Sequence, residues 1–587
     1  MSHDSSKSYE HRSFGRSVML VLLAVLFCAG ISRAASLEVS FRHQFGNEGL
    51  ILDSLRFQNT AKETLSFTRV SYLLSGFALE REDGGWVEFP DSYAWIDAGT
   101  RRDSCRIEMI PPGKYRAVRF HIGPDPAANI REPSQFAPEH PLNPNLNGLH
   151  WSWQTGYIFL ALEGRYRAGG LDGFSLHLAR DPNRTRVSLA VPLDLTADTA
   201  LVLDFDLAVL LNAPRALSFA KDGVATHSRD GDPVAAALVA NLPGAFRVVQ
   251  VLSAKPAISR PAPVKPLYLP EKYTPYRFTM NVTFPLPDLP RDNPLIEERV
   301  ALGKALFSET ALSRDRSISC ASCHVANFVF TDARRFSIGV DGRKGTRNSM
   351  PLMNLAWKTS FFWDGRAPSL RTQALMPIED HAEMDESVQN VIRKLGEDAS
   401  YPRMFAAAFG APEMTAEKIG LALEQFMLTL LAGDSKFDRA IRGAATFSDD
   451  ERRGFELFMT EFDPRTGQRG ADCFHCHGGP LFSDHQFHNN GLSPTEDTGR
   501  FRATGKDSDR GKFATPSLRN IERTAPYMHD GRFATLEEVV EHYSSGVQRT
   551  ATLDPNLAKH PKGGIALSAD EQKALVAFLR TLSDVRE

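Results

Sequence analysis

Cysteine is scarce in this chain, at six residues in 587. That is too few for a disulfide scaffold. A dominant charge sign is also missing: 68 basic side chains face 71 acidic ones, so no phosphate-tracking surface is on offer and nucleic acid is excluded as a partner. Beyond residue 30 there is no apolar run of membrane-spanning length. Low-complexity composition is absent too, since 42% hydrophobic and 24% charged residues is the make-up of folded globular protein. At this length at least two folded units are expected.

The single long apolar run, residues 18–30, follows Arg12 and Arg16 and precedes Ser32-Arg33-Ala34, a small-x-small site. This pattern predicts a secretory signal over 1–34, cleavage after Ala34, and a periplasmic product with no stable membrane span. Cys28 leaves with the signal, and Cys105 stands alone without an assigned role.

The other four cysteines form two copies of C-x-x-C-H, at Cys320/Cys323/His324 and Cys473/Cys476/His477. Two thiols at this spacing form thioethers with the vinyl groups of one haem, and the adjacent histidine reaches its iron. A thioredoxin-like pair or half a zinc site leaves the histidine unexplained twice. Two covalently bound haems c are expected.

Residues 35–252 read as an all-β sandwich, with Leu37, Val39 and Phe41 alternating, as do Val187, Leu189, Val191, Leu193 and Leu195. Proline is frequent over 253–292, which reads as an extended linker. The rest is mostly α and divides into two cytochrome-c-like lobes, 293–445 and 446–587. The division rests on a repeat: Trp363-Asp364-Gly365-Arg366 follows the first haem motif, and His529-Asp530-Gly531-Arg532 follows the second. Superposing the repeats sets Pro377 of the first lobe opposite Tyr543 of the second. Proline has no donor for iron, whereas a tyrosine oxygen is an axial ligand. The reading is therefore one open, peroxidatic haem on His324 and one electron-transfer haem closed by His477 and Tyr543.

Over about residues 293–587 the chain resembles the di-haem cytochrome c peroxidase and MauG family. The resemblance rests on both haem motifs, on Phe361 through Arg366, on Gln373 through Pro377, on Ala382-Glu383-Met384, and on Thr515 through Gly531. It implies that Trp363 lies between the haems and that Gln373, Pro377 and Glu383 form the distal pocket, with Glu383 as general acid/base. It also implies an inter-haem calcium at Asn348, Thr524 and Pro526. A tyrosine rather than a methionine at 543 is the MauG-like choice, suited to holding high-valent iron.

The first domain resembles MbnP, a periplasmic copper-binding β-protein, through Phe41-Arg42-His43, Pro111 through Tyr115, Phe120 through Gly123 and the W-x-W-x-x-G-Y segment from Trp151 to Tyr157. Members pair with a MauG-like partner, MbnH, that oxidises a tryptophan of MbnP to kynurenine, so the two partners are fused in this chain. Trp151 and Trp153 are the candidate modified residues. Among His43, His121, His140 and His150, the first two rank highest as copper ligands. The preferred function is an exported oxidoreductase that uses hydrogen peroxide to form high-valent haem iron and oxidises a tryptophan on its own copper-binding domain or on a partner protein. The alternatives are a peroxidase fed by a small cytochrome or cupredoxin, and a non-enzymatic metal-binding or electron-transfer protein.

Overall fold

The computed structural model describes residues 34–151, 156–253, 264–463 and 467–584. The expected signal segment, apart from Ala34, and Trp153 lie outside the described residues. No helix among the described residues is long and apolar enough to cross a membrane.

The first domain is built of two β-sheets. Along Ala35–Phe45, Leu37, Val39 and Phe41 are buried while Glu38, Ser40 and Arg42 are less so, the period-two alternation of a strand with one face inward. Thr185–Asp194 repeats the pattern with Val187, Val191 and Leu193. One sheet orders Phe246–Ser253, Thr199–Asp206 and Ala35–Phe45, the last two parallel with His43 opposite Phe205. The larger sheet runs Thr185–Asp194, Lys114–Ile122, Thr64–Arg81, Gly156–Arg167, Leu171–Ala179. Phe41, Tyr72, Phe120, Phe205 and Phe246 fill the space between, with contacting ring centroids 4.5 to 6.4 Å apart. A helix, Pro233–Ala245, is inserted before the last strand; Asp232 caps it and Pro233 opens it.

The proline-rich stretch, described from residue 264, has neither helix nor regular strand but is strapped to the first lobe. Phe284 is buried edge-on against Trp357, whose Nε1–H donates to the Pro285 carbonyl at 2.8 Å. Asn281 donates to the Gly433 carbonyl (2.6 Å), and the buried Arg299 guanidinium donates to the carbonyls of Leu267 and Tyr268. Its apolar side chains and carbonyls therefore belong to the lobe it precedes.

The helical half is built twice on one plan. Helix Glu297–Phe307 crosses Ala416–Leu428 at Gly303, and helix Asp449–Phe458 crosses Ala569–Arg580 at Gly454. A Cβ at Gly303 would lie 2.0 Å from the Ala422 carbonyl oxygen, and one at Gly454 would lie 1.9 Å from that of Ala574, so both crossings require glycine. The two D-G-R turns close alike, Phe361 bridging Ala367 and Tyr527 bridging Phe533.

The lobes differ in their surroundings. The first has its own hydrophobic core, whereas the core of the second is continuous with that of the β-domain. Gly173 of the β-domain lies flat on Pro555, where a Cβ would come 1.9 Å from the carbonyl oxygen. Arg165 donates to the carbonyls of Ala551 and Leu553, and Arg549 donates to Asp172 at 3.0 Å.

Candidate functional site

Each haem motif forms a short helical turn that presents its thiols and histidine together, Cys320–Cys323 in the first lobe and Cys473–His475 in the second. His324 Nδ1 sits 2.8 Å from the Phe330 carbonyl, and His477 Nδ1 sits 3.1 Å from that of Phe482. Donation to a carbonyl fixes the tautomer and leaves Nε2 as the lone pair for iron. Burial pushes the Cys320 thiol up to about 12 and Cys476 up to about 11. Around the second motif an apolar cavity is lined by Cys473, Cys476, His477, Tyr543 and Trp363 and walled by Leu536, Val540 and Leu575. These donors and this cradle fit a covalently attached haem.

Pro377 and Tyr543 stand at corresponding places in the repeat. Pro377 lies within helix Leu370–Glu379, and Tyr543 lies in the π-helical turn His542–Gly546 that continues helix Leu536–Glu541. Burial pushes the Tyr543 phenol up to about 12, and its oxygen accepts from the Asn490 amide at 3.4 Å. The same amide lies 3.4 Å from Met528 Sδ, which also lines the cavity. No motif or repeat position in the sequence marks that thioether.

In the first lobe Glu383 follows the helix that carries Gln373 and Pro377. Burial, reinforced by Asp380 and opposed by Arg366, raises its carboxyl to about 7. Its charge adds to the burial that raises the thiols of Cys320 and Cys323. Its loop is held by the Val340 N–H, which donates to the Glu383 carbonyl at 2.8 Å.

Trp363 belongs to the first lobe's repeat yet lines the second lobe's cavity. Its Nε1–H donates to the Asn348 carbonyl (2.8 Å), and the Asn348 N–H donates to the His529 carbonyl (2.7 Å), so the indole is held where the lobes meet. Asn348, Thr524 and Pro526 line this same cavity. The three residues of the expected calcium site thus share the lining of one cavity.

One tryptophan of the β-domain, Trp151, meets the haem half directly. Trp151 is 8% exposed, in a two-residue strand, His150–Trp151, paired with Gly156–Tyr157. Its indole lies 5.3 Å from the His227 ring and 6.5 Å, edge-on, from Phe474, which stands between the two cysteines of the second motif. The expected copper ligands lie elsewhere. His43 sits among Tyr72 and Phe205, and His121 lies beside Gly76 and Arg184. Neither joins a cluster of three or more metal-capable side chains among the described residues. His140 accepts from the Leu142 N–H at 3.0 Å, and His150 packs on Tyr157. The histidines that do surround Trp151 are His177 and His227, with His475 of the second haem motif beside them. No spacing pattern joins positions so far apart, and only the W-x-W segment pointed to this region.

The family model of di-haem cytochrome c peroxidases matches residues 297–446, and that of MbnP matches 34–228. The methylamine utilization protein MauG of Methylorubrum extorquens is 40% identical over 297 residues, covering 50% of this chain and 80% of the relative. The cytochrome c551 peroxidase of Nitrosomonas europaea is 34% identical over 288 residues, 48% of this chain and 79% of its own. A solved structure of a MauG-like protein associated with microbial copper homeostasis is 36% identical, with a TM-score of 0.47 over 53% of this chain and 96% of the other. With both haem motifs in place, the chain belongs to the di-haem cytochrome c peroxidase and MauG family of oxidoreductases and carries an MbnP-family β-domain ahead of it.

Proposed function

We propose that this protein is an exported MauG-type oxidoreductase that uses hydrogen peroxide to convert its own Trp151 to kynurenine. The haems, when bound, supply oxidising equivalents drawn from peroxide. The observation that carries this reading is the burial of Trp151 against Phe474, on the turn that attaches the second haem. An oxidisable indole already touches the redox half of the chain, so no second protein has to dock.

The chain's own residues divide the remaining work. Glu383, with its carboxyl near neutrality, takes a proton from one peroxide oxygen and returns it to the departing one. Gln373 and Pro377 shape that face, and the prolyl ring offers iron no donor. Trp363 carries the oxidising hole across the lobe junction, and Asn348, Thr524 and Pro526 would hold a calcium ion beside it, whose charge would help fix that junction. Tyr543 closes the second site. The stoichiometry balances: two peroxides convert the indole to N-formylkynurenine and release two waters, and hydrolysis then gives kynurenine and formate.

Peptide mass spectrometry after peroxide treatment tests the reading, with kynurenine expected at position 151. Steady peroxide reduction at the expense of a reduced small cytochrome, with Trp151 intact, would instead mark a simple peroxidase.

A further inference from the structure

We infer that the cavity beside Trp151 is a hydrolytic site, in which His485 acts as general base and directs water onto the formyl group of N-formylkynurenine. The inference rests on the oxidation of Trp151 proposed above and assigns the step that follows it.

Oxidation leaves a formyl group on the aromatic nitrogen, and kynurenine forms only when water removes it. Trp151 is 8% exposed, so bulk water has little access to a group formed there. A cavity of about 70 Å³ lies against the indole where the β-domain meets the second lobe, and its wall includes Asn145, His150 and His485. Each water needs roughly 10–15 Å³, so several fit. Asn145 Oδ1, His150 Nδ1 and His485 Nε2 are all buried without a hydrogen-bond partner among the described residues. Buried polar atoms are costly to leave unpaired, and water in this cavity pairs them.

The repeat singles out His485. Phe330-Thr331-Asp332-Ala333 of the first lobe corresponds to Phe482-Ser483-Asp484-His485 of the second, and each phenylalanine carbonyl accepts from its own proximal histidine. Ala333 is exposed to solvent, whereas His485 shares a cavity wall with Trp151. Holding a haem does not require an imidazole at this place, since the first lobe does without one. The His485 backbone is held at a φ of 56°, in the left-handed region, where strained residues cluster at functional sites. Ser483 Oγ gives its hydrogen to the Thr515 carbonyl (2.9 Å) and stands 3.4 Å from His485 Nδ1, so Nδ1 carries the ring proton and Nε2 the lone pair. Burial, reinforced by Lys358 and opposed by Asp484, lowers the ring to about 4, which keeps that lone pair free at neutral pH.

The step balances without an oxidant. Nε2 takes a proton from water as the water oxygen bonds to the formyl carbon. The carbon–nitrogen bond then breaks, the proton passes to the departing aryl nitrogen, and formic acid leaves and ionises to formate. Arg69 also lines the cavity and is partly exposed, a cationic way out for the anion.

The test follows full-length di-haem protein by mass after a pulse of peroxide, with samples quenched at intervals. N-formylkynurenine is heavier than kynurenine by one carbonyl group, so the two are read separately at position 151. The formyl form should be transient in the wild type. In His485→Ala, which carries the first lobe's residue at this place, it should accumulate, its loss slowed by about 10²-fold or more, with the haem spectrum reporting folding. The inference is overturned if the formyl group leaves the intact wild-type protein no faster than it leaves a proteolytic peptide bearing the same residue. It is overturned as well if folded His485→Ala loses the group at the wild-type rate, an outcome that leaves the oxidation itself standing. Absence of both products from every sample would overturn the oxidation of Trp151 and this step with it.

Discussion

The two haem lobes share one scaffold and put it to different uses. Both cross their helices at a glycine, close a D-G-R turn, and orient the proximal histidine through a backbone carbonyl. Where the first lobe has Pro377 and a near-neutral Glu383, the second has Tyr543, and where the first keeps a separate core, the second merges with the β-domain. Duplication preserved the parts that hold a haem. The parts that decide what reaches it, a proton donor on one side and an indole on the other, diverged.

Exchanging the divergent parts should break this contrast most severely. Tyr543→Met should reduce kynurenine at position 151 to background while peroxide is still consumed, as read by peptide mass spectrometry beside a peroxide assay. Met528→Leu should leave the product in place, which would establish that the oxygen rather than the neighbouring sulfur closes the second site. Glu383→Gln should slow peroxide consumption by about 10²–10⁴-fold. Because burial raises this carboxyl to about 7 and the ionised form is the base, the wild-type rate should climb with pH through a midpoint near 7, and the glutamine variant should be flat.

The shared parts give smaller effects that should match between the lobes. Gly303→Ala and Gly454→Ala each force a Cβ into a backbone carbonyl, and each should cost about 1–3 kcal/mol by denaturant unfolding followed at the haem. Smallest are the helix caps. Ser448→Ala removes a reciprocal box in which Ser448 Oγ accepts from the Glu451 N–H (3.3 Å) and Glu451 accepts from the Ser448 N–H (2.7 Å). Thr415→Ala removes only a one-way bond from the Lys418 N–H at 3.2 Å. Both should cost about 1 kcal/mol, the serine slightly more.

The haem-bearing residues were legible because covalent attachment demands a fixed local spacing, and the β-sheets because a half-buried strand alternates. Other features leave no local trace. Phe474 and His475 occupy the two unspecified positions of C-x-x-C-H, and their contacts arise only when a domain folded from residues hundreds of positions earlier lands on them. The prolines of 253–292 signal extended backbone, but the burial of Phe284 that straps this stretch to the first lobe depends on Trp357, which is distant in the chain. The helix Pro233–Ala245 was within reach, since Asp232-Pro233 is a cap followed by a pre-set first turn.

The apolar interior that runs unbroken from the β-sheets into the second lobe has a consequence for dissecting the molecule. Severing the chain within 254–263 would not yield two tidy pieces, because each fragment would bare a greasy wall that the other normally hides. The fragments should cling together in solution, and heating should melt sheet and helices in a single transition.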